Sequence, residues 1–343
     1  MKRLRAIVLA HEDLVPPDSK EGLSEKEIQP WKTEYAVADT LRRMGHEVQV
    51  LGVSDDLQPI RRLVEGWQAQ IVFNLLMEFQ DIGAYQAHVA SYLELLGVPF
   101  TGCNPLGILL TRDKALCKKI LRYHRIPTAR FGVFAVGRKV RVRRDLRYPL
   151  IVKSIDEEAS LGISQKSVVS DEQRLRERVE FIHRQVGSDA IAEEYIEGRE
   201  LTVSVLGNER LTVFPVWELF FKNLPEGSLP IATARAKWDL AYQKRVGIDT
   251  GPAKQLTPAS EARIARIARR VYRMLGLSGY ARLDLRLSPE GRIFVIEANA
   301  TPDIADDEDF ALSAKKGGLP YPKLLQRILN LGLSYRRSQK TDR

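Results

Sequence analysis

Two acids, an arginine and an amide lie at short spacing in the segment Tyr280–Thr301. Two alternating runs flank Ser288–Gly291, which predicts a β-hairpin with a four-residue turn. A register that pairs Leu287 with Arg292 gives the hairpin one polar and one apolar face, because side chains alternate along a strand. The predicted apolar face carries Leu283, Leu285, Leu287, Phe294, Ile296 and Ala298.

The polar face of this hairpin has the composition of a metal site. The register places Arg282 opposite Glu297, with Asp284 on the diagonal about 7–8 Å away and Asn299 on the same face. Two carboxylates and an amide, without histidine or cysteine, suit Mg²⁺ or Mn²⁺ and exclude a typical zinc site. An ion pair between Arg282 and Glu297 at the surface is the alternative. The second acid and the amide favour the metal site.

The first hundred residues alternate short apolar runs with helical patterns, which predicts a parallel α/β lobe. The predicted strands are 6–10, 48–53, 71–76 and 98–101, and the predicted helices are 33–44 and 84–96. Residues 11–31, with three prolines and a glycine, are predicted to form a long loop over the strand ends, where parallel sheets build ligand sites.

Two further lobes are predicted after residue 111. The second has helices at 113–121 and 171–186 and strands at 148–154, 163–169 and 190–195. The third begins with strands at 200–206 and 211–218 and a polar stretch to about 256. A helix follows, for which Thr257 is the predicted cap and Pro258 the first residue.

Composition and charge exclude several functional classes. The chain has 343 residues, 44% of them hydrophobic, and a net charge of +9. Much of the charge is dispersed, and one group of arginines forms the solvated face of a helix: Arg263, Arg266, Arg270 and Arg273. We therefore expect no nucleic-acid partner. Without an apolar run of membrane length, we expect no membrane contact and a cytoplasmic protein whose residues 336–343 form a basic tail.

Several motifs, in order, resemble the ATP-grasp superfamily and, within it, the D-alanine–D-alanine ligases. The resemblance extends from about Ile71 to Pro302. The motifs are Gly97–Gly102, Asp113-Lys114, Pro149–Lys153, Ser160–Ser164, Glu193–Ile196, Gly198–Glu200, Arg282–Asp284 and Glu297–Asn299. Each is weak alone, but their order and spacing are specific. The resemblance implies a three-lobed ATP-grasp fold (α/β), with an N-terminal α/β lobe (1–111), a central lobe (112–198) and a C-terminal lobe (199–335).

The same resemblance implies the roles of individual residues. The residues that it assigns to ATP are Lys114, Lys153, Glu193, Tyr195, Ile196, Glu200, Lys237 and Ile296. For Lys153 the alternative is an exposed strand end, and for Lys237 the alternative of a surface lysine is nearly as strong. Asp284, Glu297 and Asn299 would hold two Mg²⁺ or Mn²⁺ ions. Arg282 would stabilise an oxyanion, and Ser160 and Gly162 belong to the phosphate-covering lid.

Some positions depart from the pattern of the D-alanine–D-alanine ligases. Ala159 replaces a lid serine and Trp238 its tyrosine partner, which removes a hydroxyl link. The substrate-orienting glutamate near the N-terminus is replaced by His11-Glu12-Asp13, with Glu27 and Glu34 as open substitutes. Asp303 and the run 306–309 add acidic residues, which indicate either a solvated loop or an acceptor with an additional positive charge.

The favoured hypothesis is an ATP-dependent carboxylate–amine ligase that forms an amide bond through an acyl phosphate. D-alanine–D-alanine ligase is the reference activity, and a divergent ligase for other amino acids or an amine-bearing metabolite is the alternative. A nucleotide-binding protein without catalysis is disfavoured, because the metal ligands and Arg282 are all present. The resemblance also suggests a homodimer.

Overall fold

The computed structural model describes residues 3–156 and 163–335 of the chain. Its first sheet is parallel, with strand order β2-β1-β3. The strands are β1 (Arg5–His11), β2 (Glu47–Val53) and β3 (Ile71–Asn74). Residues 6–10 and 71–73 are completely buried, as expected for a parallel sheet covered on both faces.

Helices cover both faces of this sheet. Those of the first 112 residues are α1 (Glu25–Ile28), α2 (Lys32–Arg43), α3 (Gln58–Gly66), α4 (Gln86–Leu95) and α5 (Pro105–Arg112). One face also receives the C-terminal helices α11 (Asp309–Lys316) and α12 (Tyr321–Ser334). Leu325 and Leu329 of α12 belong to the same buried cluster as Val8 and Phe73. The end of the described chain therefore packs against its beginning.

The second sheet is antiparallel, with strand order β4-β7-β5-β6. Its elements are α6 (Lys114–Tyr123), β4 (Phe131–Phe134), β5 (Leu150–Ser154), β6 (Val168–Val169), α7 (Glu172–Phe181) and β7 (Ala190–Glu194). A π-helical turn at 182–186 extends α7. Asp113 caps α6, since its side chain accepts a hydrogen bond from the Leu116 amide (2.8 Å). Lys114 is consequently fixed in the first turn of this helix.

The third sheet is also antiparallel, with order β11-β10-β8-β12-β13, and β9 pairs with β8. Its strands are β8 (Arg199–Leu206), β9 (Thr212–Val213), β10 (Trp217–Phe221), β11 (Ile248–Pro252), β12 (Tyr280–Leu287) and β13 (Ile293–Asn299). Its helices are α8 (Ala234–Trp238), α9 (Leu240–Val246) and α10 (Pro258–Met274). Thr257 caps α10 as predicted, with Pro258 at its start. The apolar stripe of α10 is buried against the sheet.

Gly279 allows the third sheet to approach the first sheet closely. Gly279, immediately before β12, has φ +67°, and a Cβ there would lie 2.3 Å from the carbonyl oxygen of Gly102. A side chain is excluded both by this contact and by the left-handed backbone. The start of β12 is therefore held against the segment between α4 and α5, just after the bridge of Phe100 to Val72.

Some predicted elements are wrong or incomplete. Residues 98–101 make one parallel bridge, Val72 to Phe100, and no strand. The predicted strand 163–169 is a 3₁₀ turn followed by the two-residue β6. The predicted strand 211–218 is divided into β9 and β10, and the polar stretch before 256 contains α8, α9 and β11. Polar composition does not exclude an element whose pairing partner is distant in sequence.

Within the described ranges, no helix has both the length and the apolar composition needed to cross a bilayer.

Candidate active site

The hairpin of β12 and β13 forms, but the predicted register is wrong. Leu287 pairs with Ile293, and a shift between Asp284 and Leu285 then places Asp284 directly opposite Glu297. The shift is a β-bulge, in which one additional residue stands on one strand. The two carboxylates are therefore direct neighbours, closer than the predicted diagonal.

The bulge also corrects the predicted apolar face. Phe294 lies opposite Arg286, and Ile296 is the unpaired residue of the bulge. Ile293 and Val295 are buried in their place, opposite Leu287 and Leu285. Because an alternating pattern contains no signal for one inserted residue, the sequence could not locate this bulge.

Arg282 and Asp284 form a two-pronged ion pair on the polar face. Nε of Arg282 donates to Oδ1 of Asp284 (2.7 Å), and Nη2 donates to Oδ2 (3.1 Å). Burial alone would lower the pKa of Arg282, but Asp284 outweighs it and raises this pKa above its ordinary value. Asp309, at the start of α11, has its pKa raised by burial and contributes further negative charge. Arg282 is thus a permanent cation among acids.

Glu297 and Asn299 line the same face of β13. Oε1 of Glu297 lies 3.6 Å from Nζ of Lys114, which is buried. Asn299 pairs with Arg282 across the strands, and its Oδ1 accepts a hydrogen bond from the Thr301 amide (2.8 Å). Since an amide oxygen has two lone pairs, Asn299 retains one for a further partner. The three predicted metal ligands therefore meet at one end of the hairpin.

A cluster of buried lysines lies next to these acids. Nζ of Lys118 is 3.0 Å from Oε2 of Glu193, and Nζ of Lys153 is 3.7 Å from its Oε1. Burial would raise the pKa of Glu193, but Lys118 and Lys153 outweigh it and lower this pKa. With Lys114, the cluster places three cations beside two carboxylates, Glu193 and Glu297. Lysine ammonium groups bind phosphate oxygens as point charges, so the cluster suits an anion such as a phosphate.

Lys118 also joins the second and third sheets. From α6, its Nζ donates to the carbonyl of Ile296 and to Oγ1 of Thr128, both at 3.0 Å. The carbonyl belongs to the bulge residue of β13. The sequence analysis did not predict a role for Lys118. The available signal was its spacing of four from Lys114, which places both side chains on one face of the helix.

The segment between β7 and β8 carries the predicted nucleoside contacts. The Glu194 and Tyr195 amides already donate to the carbonyls of Arg130 and Pro149, each at 2.9 Å. Among the described residues, the Ile196 amide makes no hydrogen bond. Within this segment, Ile196 therefore has a backbone donor for a ligand.

Glu200 is held by an arginine that the sequence analysis did not identify. Nη2 of Arg286 donates to Oε2 of Glu200 (2.8 Å), and its Nη1 donates to the Gly198 carbonyl (2.9 Å). The same guanidinium lies 5.5 Å from the centre of the Tyr195 ring. Arg286 shares no sequence motif with Glu200 or Tyr195. Only the pairing of β12 with β8 brings it beside them.

The two candidate N-terminal glutamates differ in their surroundings. Glu27 is exposed and accepts hydrogen bonds from the amide and hydroxyl of Ser24. Glu34, in α2, is buried, and burial together with the charge of Asp303 raises its pKa to about 7. Only Glu34 therefore faces the segment that follows β13.

The acidic run after Thr301 is largely engaged within the protein. Nζ of Lys32 lies 2.5 Å from Glu308 and 3.1 Å from Asp307. Oδ1 of Asp303 accepts hydrogen bonds from the Thr33 hydroxyl (2.7 Å) and the Ala305 amide (2.9 Å). These contacts fasten the run to the start of α2.

Three predicted site residues have no side-chain description. Ser160 and Gly162, like Ala159, lie outside the described residues. Lys237 and Trp238 are in α8, but only their backbone is described.

The arrangement corresponds to a known class of fold. The chain is similar to D-alanine–D-alanine ligase from Bacillus anthracis complexed with ATP (TM-score 0.73, 22% identity), covering 96% of this chain and 97% of that one. It is also similar to VanG D-Ala:D-Ser ligase from Enterococcus faecalis (TM-score 0.70, 20% identity), covering 96% and 100%. This likeness confirms the predicted ATP-grasp fold.

The family follows from the sequence comparisons. The family model "D-ala D-ala ligase C-terminus" matches residues 122–330, and the chain belongs to this family. The D-alanine–D-alanine ligase of Desulforudis audaxviator is 29% identical over 315 residues, 90% of this chain and 95% of that protein. The uncharacterised protein y4sG of Sinorhizobium fredii is 33% identical over 316 residues, 88% and 89% of the two chains. The expected class, an ATP-dependent ligase like the D-alanine–D-alanine ligases, is thereby confirmed.

Proposed function

We propose that this protein joins the carboxylate of one amino acid to the amino group of a second, while ATP becomes ADP and phosphate. The observation that carries the proposal is the meeting of Asp284 and Glu297 across the bulged hairpin, beside buried Lys114. A pair of hard oxygen donors next to the buried lysines 114, 118 and 153 suits a metal–triphosphate complex.

The proposed nucleotide contacts follow the buried charges. Lys114 and Lys153 neutralise phosphate oxygens, and Lys118 holds Glu193 so that Lys153 is fixed in place. The Ile196 amide donates to the adenine, and Glu200 accepts from the ribose. Arg286 orients Glu200 through their hydrogen bond of 2.8 Å. We retain Lys237, Ile296, Ser160 and Gly162 as proposed contacts to the triphosphate or the lid.

The described donors support a Mg²⁺ site. Glu297 and Asn299 offer oxygens beside Asp284, and no nitrogen or sulfur ligand stands among them. When bound there, Mg²⁺ or Mn²⁺ neutralises charge on the transferred phosphoryl group. Asp284 would then divide its oxygens between the metal and Arg282.

The residues of the chain support two chemical steps. The carboxylate of the first amino acid attacks the γ-phosphorus of ATP, and ADP leaves. The amino group of the second then attacks the acyl phosphate, and phosphate leaves with loss of a proton from nitrogen. Arg282, a cation fixed by two hydrogen bonds, stabilises the oxyanion that forms at the carbonyl carbon.

The acidic residues near α2 bear on the choice of substrates. Lys32 neutralises Asp307 and Glu308, which supports a structural role for the run and removes support for an acceptor with an additional charge. Glu34, buried beside Asp303, is the better substitute for the substrate-orienting glutamate. Two D-alanine molecules are therefore the first substrates to test.

The proposal extends to the organisation of the protein. Residues 1–111, 112–198 and 199–335 each contain one of the three sheets, which supports three lobes, although α12 of the third range packs on the first sheet. A cytoplasmic location and a homodimer remain predictions.

The decisive experiment measures ADP and phosphate release from ATP and Mg²⁺ with a panel of D- and L-amino acids, followed by mass spectrometry of the product. We expect turnover with D-alanine alone and formation of its dipeptide. Turnover with another pair only would establish a divergent ligase. Absence of amino-acid-dependent ADP release across the whole panel would refute the proposal.

A further inference from the structure

A second group of potential metal ligands lies in the first sheet, at the carboxyl ends of its strands. A ring nitrogen of His11 and one carboxylate oxygen each of Glu78 and Asp81 all lie within 4.8 Å of one another. His11 ends β1, and Glu78 and Asp81 follow the neighbouring β3. No residue of the proposed metal site at Asp284 and Glu297 belongs to this group.

His11 provides an independent indication of a ligand. Its side chain is about nine-tenths buried, and its Nε2 has no hydrogen-bond partner among the described residues. Nδ1 is engaged by Asp13, whose amide donates to it at 3.3 Å. A buried polar atom without a partner is costly, and most such atoms in proteins are satisfied.

The surroundings of His11 resemble those of a metal-binding imidazole. In the structure Nδ1 accepts from the Asp13 amide, so coordination through Nε2 moves the ring proton to Nδ1, which then donates to Oδ2 of Asp13, 3.6 Å away, in place of that contact. A carboxylate that accepts from the second ring nitrogen fixes the tautomer in many metal sites. Asp13 is therefore in place for this function.

The two acids are positioned by a tight turn. Phe79 and Ile82 form an antiparallel bridge, and the residues between them, Gln80 and Asp81, both have positive φ (55° and 57°). The Gln80 amide donates to the Ser54 carbonyl at 2.7 Å, which fastens the turn to the end of β2. Segments that follow all three strands therefore converge beside His11.

We propose that His11, Glu78 and Asp81 bind a divalent transition-metal cation of the Zn²⁺ type. Imidazole with two carboxylates suits zinc and its neighbours, whereas Mg²⁺ prefers oxygen ligands alone. Bonds of roughly 2.1 Å allow two ligand atoms a separation of at most about 4.2 Å. Small rotations of the two solvent-accessible acids complete the site, and water occupies the fourth position.

The test uses the full-length protein, stripped of metal with a chelator and free of nucleotide. Zn²⁺ is titrated by calorimetry, and Co²⁺ is added separately as a spectroscopic probe of coordination geometry. We compare the parent with His11→Ala, with Asp81→Asn at an exposed position, and with two controls. His88→Ala removes an exposed histidine of α4, and Glu297→Gln changes the other proposed metal site.

We expect the parent to bind one equivalent of Zn²⁺ and both site variants to bind at least about tenfold more weakly. Both controls should retain the affinity of the parent. The absence of saturable Zn²⁺ binding would overturn the proposal. Equal affinity in Asp81→Asn and the parent, or a loss confined to Glu297→Gln, would overturn it as well.

Discussion

Lys118 and Glu193 form an ion pair of 3.0 Å, and both side chains are almost completely buried. The pair connects α6 to β7, and the same ammonium group reaches the bulge of β13. One charged side chain therefore contacts two sheets from the helix between them. Removal of one partner would leave a buried, uncompensated charge.

The first prediction concerns this pair. Lys118→Met should lower the free energy of unfolding by about 3–5 kcal/mol, because the buried Glu193 loses the nearer of its two lysine partners. Urea denaturation measures this change. Arg184→Ala is the control, since its pair with Glu180 is exposed, and it should cost less than about 1 kcal/mol. The double variant Lys118→Met/Glu193→Leu should regain part of the loss. A cost for Lys118→Met no larger than that of the control would contradict the prediction.

The second prediction concerns the proposed metal ligands. Glu297→Gln should abolish ADP release, because a neutral amide is a weaker ligand for Mg²⁺. The thermal midpoint of unfolding should stay close to that of the parent. Glu290→Gln, in the exposed turn of the same hairpin, should retain activity. Full turnover in Glu297→Gln would remove this residue from the metal site.

The third prediction separates catalysis from ATP binding. Arg282→Ala should lower kcat by about 10²–10³-fold, as expected for loss of an oxyanion donor, with little change in the Kd for ATP. Steady-state ADP release and calorimetry with a non-hydrolysable ATP analogue give the two quantities. Arg292→Ala, at the turn, is the matched control and should change neither. A loss of ATP affinity in Arg282→Ala would instead place Arg282 at the nucleotide.

The fourth prediction concerns pH and stability. Burial raises the pKa of Glu34 from 4.5 to about 7, so the folded protein keeps a proton that the unfolded chain has lost. Because the folded state binds more protons in this window, stability contributed by Glu34 falls as the pH rises from about 4.5 to 7. Glu34→Gln has no carboxyl group to titrate and therefore does not lose this stability as the pH rises.

Urea denaturation across that pH range provides the measurement. Relative to the parent, the stability of Glu34→Gln should increase by about 3 kcal/mol between the two ends of the window. Glu27→Gln should show no such increase, since hydrogen bonds from Ser24 lower the pKa of Glu27. A difference between Glu34→Gln and the parent that stays constant with pH would show that Glu34 does not titrate there.

The fifth prediction tests the close approach of the first and third sheets. Gly279→Ala should destabilise the protein more than Gly291→Ala. Both glycines have positive φ, but only at Gly279 would a Cβ meet a carbonyl oxygen, at 2.3 Å. The backbone alone should cost about 1–2 kcal/mol in Gly291→Ala. Thermal unfolding measures both, and equal losses would exclude the steric contribution.

Much of the architecture could be predicted because it depends on local patterns. The parallel strands of the first sheet and the capped helix α10 have apolar periodicity and start signals that the chain displays directly. The face shared by Arg282, Asp284, Glu297 and Asn299 was also predicted correctly. Its register was not, because the bulge at Ile296 depends on contacts with other elements.

The sequence analysis did not identify Arg286 and Lys118 as site residues, for the same reason. Arg286 meets Glu200 through strand pairing between segments that are 86 residues apart. Lys118 meets Ile296 across 178 residues. Such encounters are properties of the folded chain: the spacing of four from Lys114 places Lys118 on the same helix face but does not indicate its distant partners.

The bulge of β13 has a consequence for protein engineering. The exposed turn residues 289–292 can change in number, because both strands keep their pairing on either side of them. One residue added to or removed from 293–299 would exchange the two faces of the strand. Glu297 would then point into the core. The hydrogen bond from Lys118 to the Ile296 carbonyl would also be lost. A reporter group belongs in the turn, and the strand must keep its length.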